Sequence, residues 1–129
     1  MNVIGIGTDI VECLRIAQMI ERHAEQFINR IYTSHEVAYC SARKAATQHY
    51  AGHWAAKEAV LKSLGTRWTP AIRWVDIEIR SEDGGPPRIA LGGGARELCE
   101  TLGITEILIS ISHCRSHATA YALALGAED

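Results

Sequence analysis

The chain has 129 residues, 47% of them hydrophobic and 22% charged, and a net charge of −2. That length fits one domain with its own core, and the composition excludes extended disorder. The faintly acidic balance argues against a general nucleic-acid binder, and no apolar run approaches the roughly 20 residues of a membrane span. The opening MNVIGIGTDIVE lacks the basic and long apolar stretches of a signal peptide, so a cytoplasmic location is expected. Cys13, Cys40, Cys99 and Cys114 form no C-x-x-C pair and read as free, mostly buried thiols.

Residues 3–7 (VIGIG) predict a short buried strand. Across residues 11–26, Val11, Leu14, Ile16, Ile20 and Ala24 fall close to helical spacing, with Arg15, Gln18, Arg22 and Gln26 near another face. Thr33-Ser-His-Glu36 fits a capping box and starts a second helix, ending near Arg43. A third helix is predicted from Thr47 to Leu64, stopped by Gly65 as its C′ glycine. The period then drops to two. Val75, Ile77 and Ile79 alternate with Asp76, Glu78 and Arg80, which predicts a half-buried strand. Ser81–Pro87 is a turn, 88–91 a return strand and 95–102 a helix behind Gly92–Gly94. Glu106–Ser112 and Ala118–Leu125 close the chain as strands joined through Cys114–His117. The expected order is β-ααα-ββ-α-ββ. That is an α+β fold over residues 1–129, with a largely antiparallel sheet packed with helices.

Four segments could carry chemistry. In Gly5-Ile-Gly7-Thr8-Asp9 the glycines admit close backbone approach. Asp9, at a strand end, suits a hard cation such as Mg²⁺. Asp9-Ile-Val-Glu12 also has the spacing of a helix N-cap and its N3 partner. On the third helix, Ala55, Ala56, Ala59, Val60 and Ser63 form a small packing face. Trp54, Glu58 and Lys62 share another, either as a site or as an ordinary exposed Glu–Lys pair. Ser112-His113-Cys114-Arg115-Ser116-His117 lacks a second ligand pair with zinc-finger spacing. His113 there could bind phosphate, shuttle a proton or simply close a hairpin. Arg15, Arg22, His23 and Arg30 are interleaved with Glu12, Glu21 and Glu25, as on a solvated mixed-charge face or a docking face.

Taken together, these segments resemble the holo-acyl-carrier-protein synthases, the small bacterial 4′-phosphopantetheinyl transferases. The matching stretches are Gly5-Ile-Gly-Thr-Asp9-Ile-Val-Glu12, Phe27-Ile-Asn-Arg30-Ile-Tyr-Thr33, Trp54-Ala-Ala-Lys-Glu58-Ala-Val-Leu-Lys62-Ser-Leu-Gly65 and Ile111-Ser-His113. They span nearly the whole chain in order. Two positions depart from the family's habit: His53 stands where arginine is frequent, and Cys114 where a polar or acidic residue is usual.

The resemblance implies the 4′-phosphopantetheinyl transferase fold and transfer of phosphopantetheine from coenzyme A to a serine of an apo acyl carrier protein. It implies Mg²⁺ on Asp9 and Glu58, with Glu58 or a metal-held water as base. Lys62 would stabilise the departing phosphate and His113 would contact the phosphates. Lys44, His53 and Gly65 are further candidates at coenzyme A. Arg15, Met19 and Arg22 would dock the carrier, and the chain would form a homotrimer with sites between subunits. A non-catalytic module binding coenzyme A or carrier protein is the alternative, and a Mg²⁺-dependent phosphohydrolase a second.

Overall fold

The computed structural model describes residues 1–81 and 85–128. The chain runs β1 (Asn2–Glu12), α1 (Cys13–His23), α2 (Glu25–Ile31), α3 (Ser34–Ser41) and α4 (Ala46–Ser63). A 3₁₀ turn (Trp74–Asp76), β2 (Ile77–Arg80), β3 (Arg88–Leu91), α5 (Gly93–Leu102), β4 (Ile104–His113) and β5 (His117–Gly126) follow. The fold is α+β, and both sheets are antiparallel: a three-stranded sheet ordered β1-β5-β4 and the β2-β3 pair.

Alternation along β5 builds the main layer. Ala118, Ala120, Ala122 and Ala124 are all buried on the inner face. They meet the small residues of α4, where Ala51, Ala55, Ala56 and Ala59 are fully buried. Small residues on both surfaces let the helix lie unusually near the sheet. On β1 the approach is closer still, because a Cβ on Gly7 would stand 1.9 Å from the Ala59 carbonyl oxygen and one on Gly5 1.9 Å from that of Ser63. At the other end of α4, Gly52 faces Ile111 of β4. The helix therefore starts over β4 and ends over β1, which brings its last two turns beside Asp9. Gly7→Ala should cost about 2–3 kcal/mol through forced separation of helix and strand, read from the urea midpoint. A loss below about 0.5 kcal/mol would contradict this packing.

Several sequence expectations change. The first strand runs past residue 7 to Glu12 because β5 pairs with all of it, Asp9 lying opposite Ala120. Asp9 is consequently no helix cap; Glu12 occupies that position and makes no side-chain capping bond. The helix read across 11–26 is two helices. Ala24 breaks them with φ of 45°, the one positive-φ non-glycine among the described residues. The break lets Phe27 and Ile31 of α2 enter the core. The capping box of α3 forms as read, with Glu36 N–H donating to Thr33 Oγ1 and Thr33 N–H to Glu36 Oε1. The strand expected from Val75 begins only at Ile77, because buried Asp76 accepts the Arg73 backbone N–H at 3.0 Å and winds 74–76 into a 3₁₀ turn. The turn read at Ser81–Pro87 falls partly outside the described residues.

Candidate active site

Asp9 and the C-terminal half of α4 bring charged side chains together. Lys62 donates to Asp9 Oδ1 at 3.1 Å and to the Thr8 carbonyl oxygen at 3.0 Å. The exposed Glu58–Lys62 pair suggested by helical spacing is thus replaced by a tertiary pair across helix and strand. Glu58, one turn back, accepts a hydrogen bond from the Trp68 indole N–H at 3.2 Å. Half-burial pushes the Glu58 carboxyl above its usual range and the charge of Asp9 adds to this. The Trp68 bond, Lys62 and Arg15 pull it down, with a net rise.

Two carboxylates close enough to repel suit a divalent cation. Among the described residues no group of three or more His, Cys, Asp and Glu could hold a metal. Mg²⁺ ordinarily takes one or two carboxylates and completes its shell with waters and substrate phosphates. The donor set therefore fits Mg²⁺ with a phosphate-bearing substrate.

A wall of aromatic rings flanks the carboxylates. Trp68 stacks on Trp74 at 3.9 Å, Trp74 lies 4.4 Å from Trp54, and Trp54 stacks on Phe27 at 5.9 Å. The Arg15 guanidinium sits 6.0 Å over Trp54. Arg15 and Arg22 are exposed on α1. Met19 lines a groove of about 420 Å³ with His23, Phe27, Arg30 and Trp54.

The remaining candidates lie elsewhere. His113 ends β4, with β5 between it and Asp9's strand. Its Nδ1 faces Gln48 Oε1 at 2.9 Å, and its ring is 4.9 Å from that of His49. Burial, with His113, Arg43 and His53 nearby, lowers the His49 pKa. His53 is buried: Nδ1 bonds Glu36 Oε2 at 2.7 Å, while Nε2 has no partner among the described residues. It lines a small pocket with Tyr39, His49, Gly52 and His113. Lys44 is exposed beside a groove shared with Cys13 and Arg115. Gly65 ends α4 in the left-handed region, φ 68°, as its C′ role requires. Cys13, Cys40 and Cys99 are buried free thiols and Cys114 is exposed.

Sequence reasoning missed two features. Lys57, beside Glu58, is fully buried, and its ammonium donates to Glu36 Oε1 at 2.7 Å and to the carbonyl oxygens of Trp74 and Ile77. Burial lowers its pKa against the pull of Glu36. This charge lock joins α3, α4 and the start of β2. Its one visible signal, Glu36, was absorbed by the capping box. The second is Trp68, whose contact to Glu58 had no signal in spacing.

A family model described as the 4′-phosphopantetheinyl transferase superfamily matches residues 5–125. The chain is 43% identical over 121 residues to the holo-acyl-carrier-protein synthase of Rhodopirellula baltica, covering 94% of this chain and 96% of that one. It is 42% identical to that of Protochlamydia amoebophila, covering 93% and 96%. The crystal structure of the synthase from Neisseria meningitidis superposes with a TM-score of 0.87 at 29% identity, covering 96% and 99%. The Helicobacter pylori synthase, solved in complex with coenzyme A, gives 0.81 at 28% identity, covering 93% and 99%.

Proposed function

Because the chain belongs to the 4′-phosphopantetheinyl transferase superfamily, among the holo-acyl-carrier-protein synthases, we propose that Asp9, Glu58 and Lys62 perform its reaction. The enzyme transfers the 4′-phosphopantetheine group of coenzyme A to a serine of apo acyl carrier protein, releasing adenosine 3′,5′-bisphosphate. The observation that carries the assignment of residues is the convergence of both carboxylates and one ammonium at the β1 edge.

Asp9 and Glu58 would hold Mg²⁺, which when bound supplies positive charge against the pyrophosphate. Glu58 takes the proton of the carrier serine. The serine oxygen bonds to the phosphorus that carries the pantetheine arm, and the bond from that phosphorus to the bridging oxygen of the nucleotide breaks. Lys62 stabilises the negative charge left on the bisphosphate, in keeping with phosphoryl transfer that depends on positioning and charge. Its exposed ammonium, resting on Asp9, can swing to an incoming phosphate.

His113, with Lys44 and Gly65, is assigned to coenzyme A; buried His53, held by Glu36, is dropped from that set. Since His113 sits on the opposite sheet edge, it would reach the phosphates of a neighbouring copy's site in a homotrimer. Exposed Ile6, Ile10, Leu108 and Tyr121 on the outer sheet face support such self-association. Sedimentation equilibrium should give a trimer, and a stable monomer at assay concentration would contradict it. No described helix is long and apolar enough to cross a membrane; the cytoplasmic location stands as part of this proposal.

Arg15, Met19 and Arg22 would receive the acidic carrier. Arg15→Glu should raise KM for carrier protein about tenfold and KM for coenzyme A less than twofold. Arg22→Glu, which unlike Arg15 is not among the charges acting on Glu58, should move KM for carrier in the same direction. Unchanged KM in both variants would exclude this face. The reaction class is tested by nucleotide release with and without carrier. A transferase releases bisphosphate only with carrier, a hydrolase without it, and a binding module in neither case.

A further inference from the structure

We propose that Trp68 is a positioning residue for Glu58, an inference that rests on the role given to Glu58 above. The indole belongs to the connection after α4, outside every motif that suggested the function. Three observations converge on it. Its ring is fixed by stacking 3.9 Å from Trp74, which is itself held against Trp54 on the same helical face as Glu58. Its N–H donates to Glu58 Oε1 at 3.2 Å. Lys62, the helical neighbour that would otherwise pair with Glu58, is turned to Asp9.

The chemistry of the donor matters. An indole N–H donates without accepting and carries no charge. It can fix the carboxylate's direction without cancelling the charge that a cation and a serine proton require. One oxygen is tethered, and Oε2 keeps no protein hydrogen-bond partner among the described residues. A lysine in that place would hold Glu58 equally well but neutralise it. Groups that orient a ligating carboxylate in this way typically carry a tenfold or larger share of metal affinity or turnover.

Trp68→Phe keeps a stacking ring and removes only the N–H. Trp68→Ala removes both. Three quantities should be read for each: the split between kcat and KM for coenzyme A, Mn²⁺ affinity by electron paramagnetic resonance in the presence of coenzyme A, and Tm. For Trp68→Phe, kcat should fall about tenfold and Mn²⁺ should bind several-fold more weakly. KM for coenzyme A should stay within twofold, and Tm should be near that of the parent while Trp68→Ala melts lower. A Trp68→Phe variant with the parent's kcat and Mn²⁺ affinity overturns the proposal and leaves the reading of Glu58 standing. Loss of kcat that follows Tm in both variants, with Mn²⁺ affinity unchanged, reduces Trp68 to a structural residue and also overturns it. A parent that binds Mn²⁺ no better than Glu58→Gln overturns the metal role of Glu58 and this proposal together.

Discussion

Glu58→Gln should lower kcat about 10³-fold with Tm within about 2 °C of the parent. Glutamine keeps the length and volume of the side chain and can still accept from the Trp68 indole. It loses the negative charge that would complete a cation site with Asp9, and it cannot take the serine proton. The half-buried position means that little packing changes. Affinity for coenzyme A should alter far less than turnover, since only one of the two carboxylates is removed. Turnover above about a tenth of the parent's would remove Glu58 from the chemistry.

The largest stability effect is expected at its neighbour. Lys57→Met keeps the aliphatic stem but leaves Glu36 buried with, among the described residues, His53 and the Thr33 N–H for partners. It also strips a donor from the carbonyls of Trp74 and Ile77. Breaking a buried ion pair from one side typically costs about 3–5 kcal/mol, so Tm should drop on the order of 10 °C or more. Removing both charges, with Glu36→Gln added, should recover part of the loss, because no unpaired carboxylate then remains and the amide oxygen can still accept from the Thr33 N–H. A Tm within about 2 °C of the parent would show that the pair contributes little. Because this lock holds α4 against α3 and the start of β2, its loss would also disturb Glu58 one residue on. Activity of these variants should therefore be compared well below their melting temperatures.

What could be read from the sequence, and what could not, divides along a physical line. Signals contained in one short stretch were legible: the capping box at Thr33 and Glu36, the stop at Gly65, and the alternation of the last two strands. The close packing of β1 on α4 was legible too, in the glycines of one and the small residues of the other, while the roles proposed for Asp9, Glu58 and Lys62 came from the family resemblance and not from spacing. Contacts set by the fold were not. Helical arithmetic pairs Glu58 with Lys62, yet the Asp9 carboxylate, 53 positions away in the chain, takes the ammonium. The last strand lies in the middle of the sheet, so His113 and Asp9 are parted by β5 in a way chain order does not reveal. His53, read as a candidate for phosphate, is turned inward by Glu36. The break at Ala24 falls at a residue with ordinary helix propensity, without glycine or proline to announce it.

The most direct measurement is the intact mass of an apo acyl carrier protein after incubation with this enzyme, coenzyme A and Mg²⁺, beside an EDTA control. A gain of one phosphopantetheine that EDTA abolishes and added Mg²⁺ restores is the expected result. An equal gain in EDTA would contradict a metal on Asp9 and Glu58, and no gain with any carrier, despite bound coenzyme A, would contradict the transfer itself.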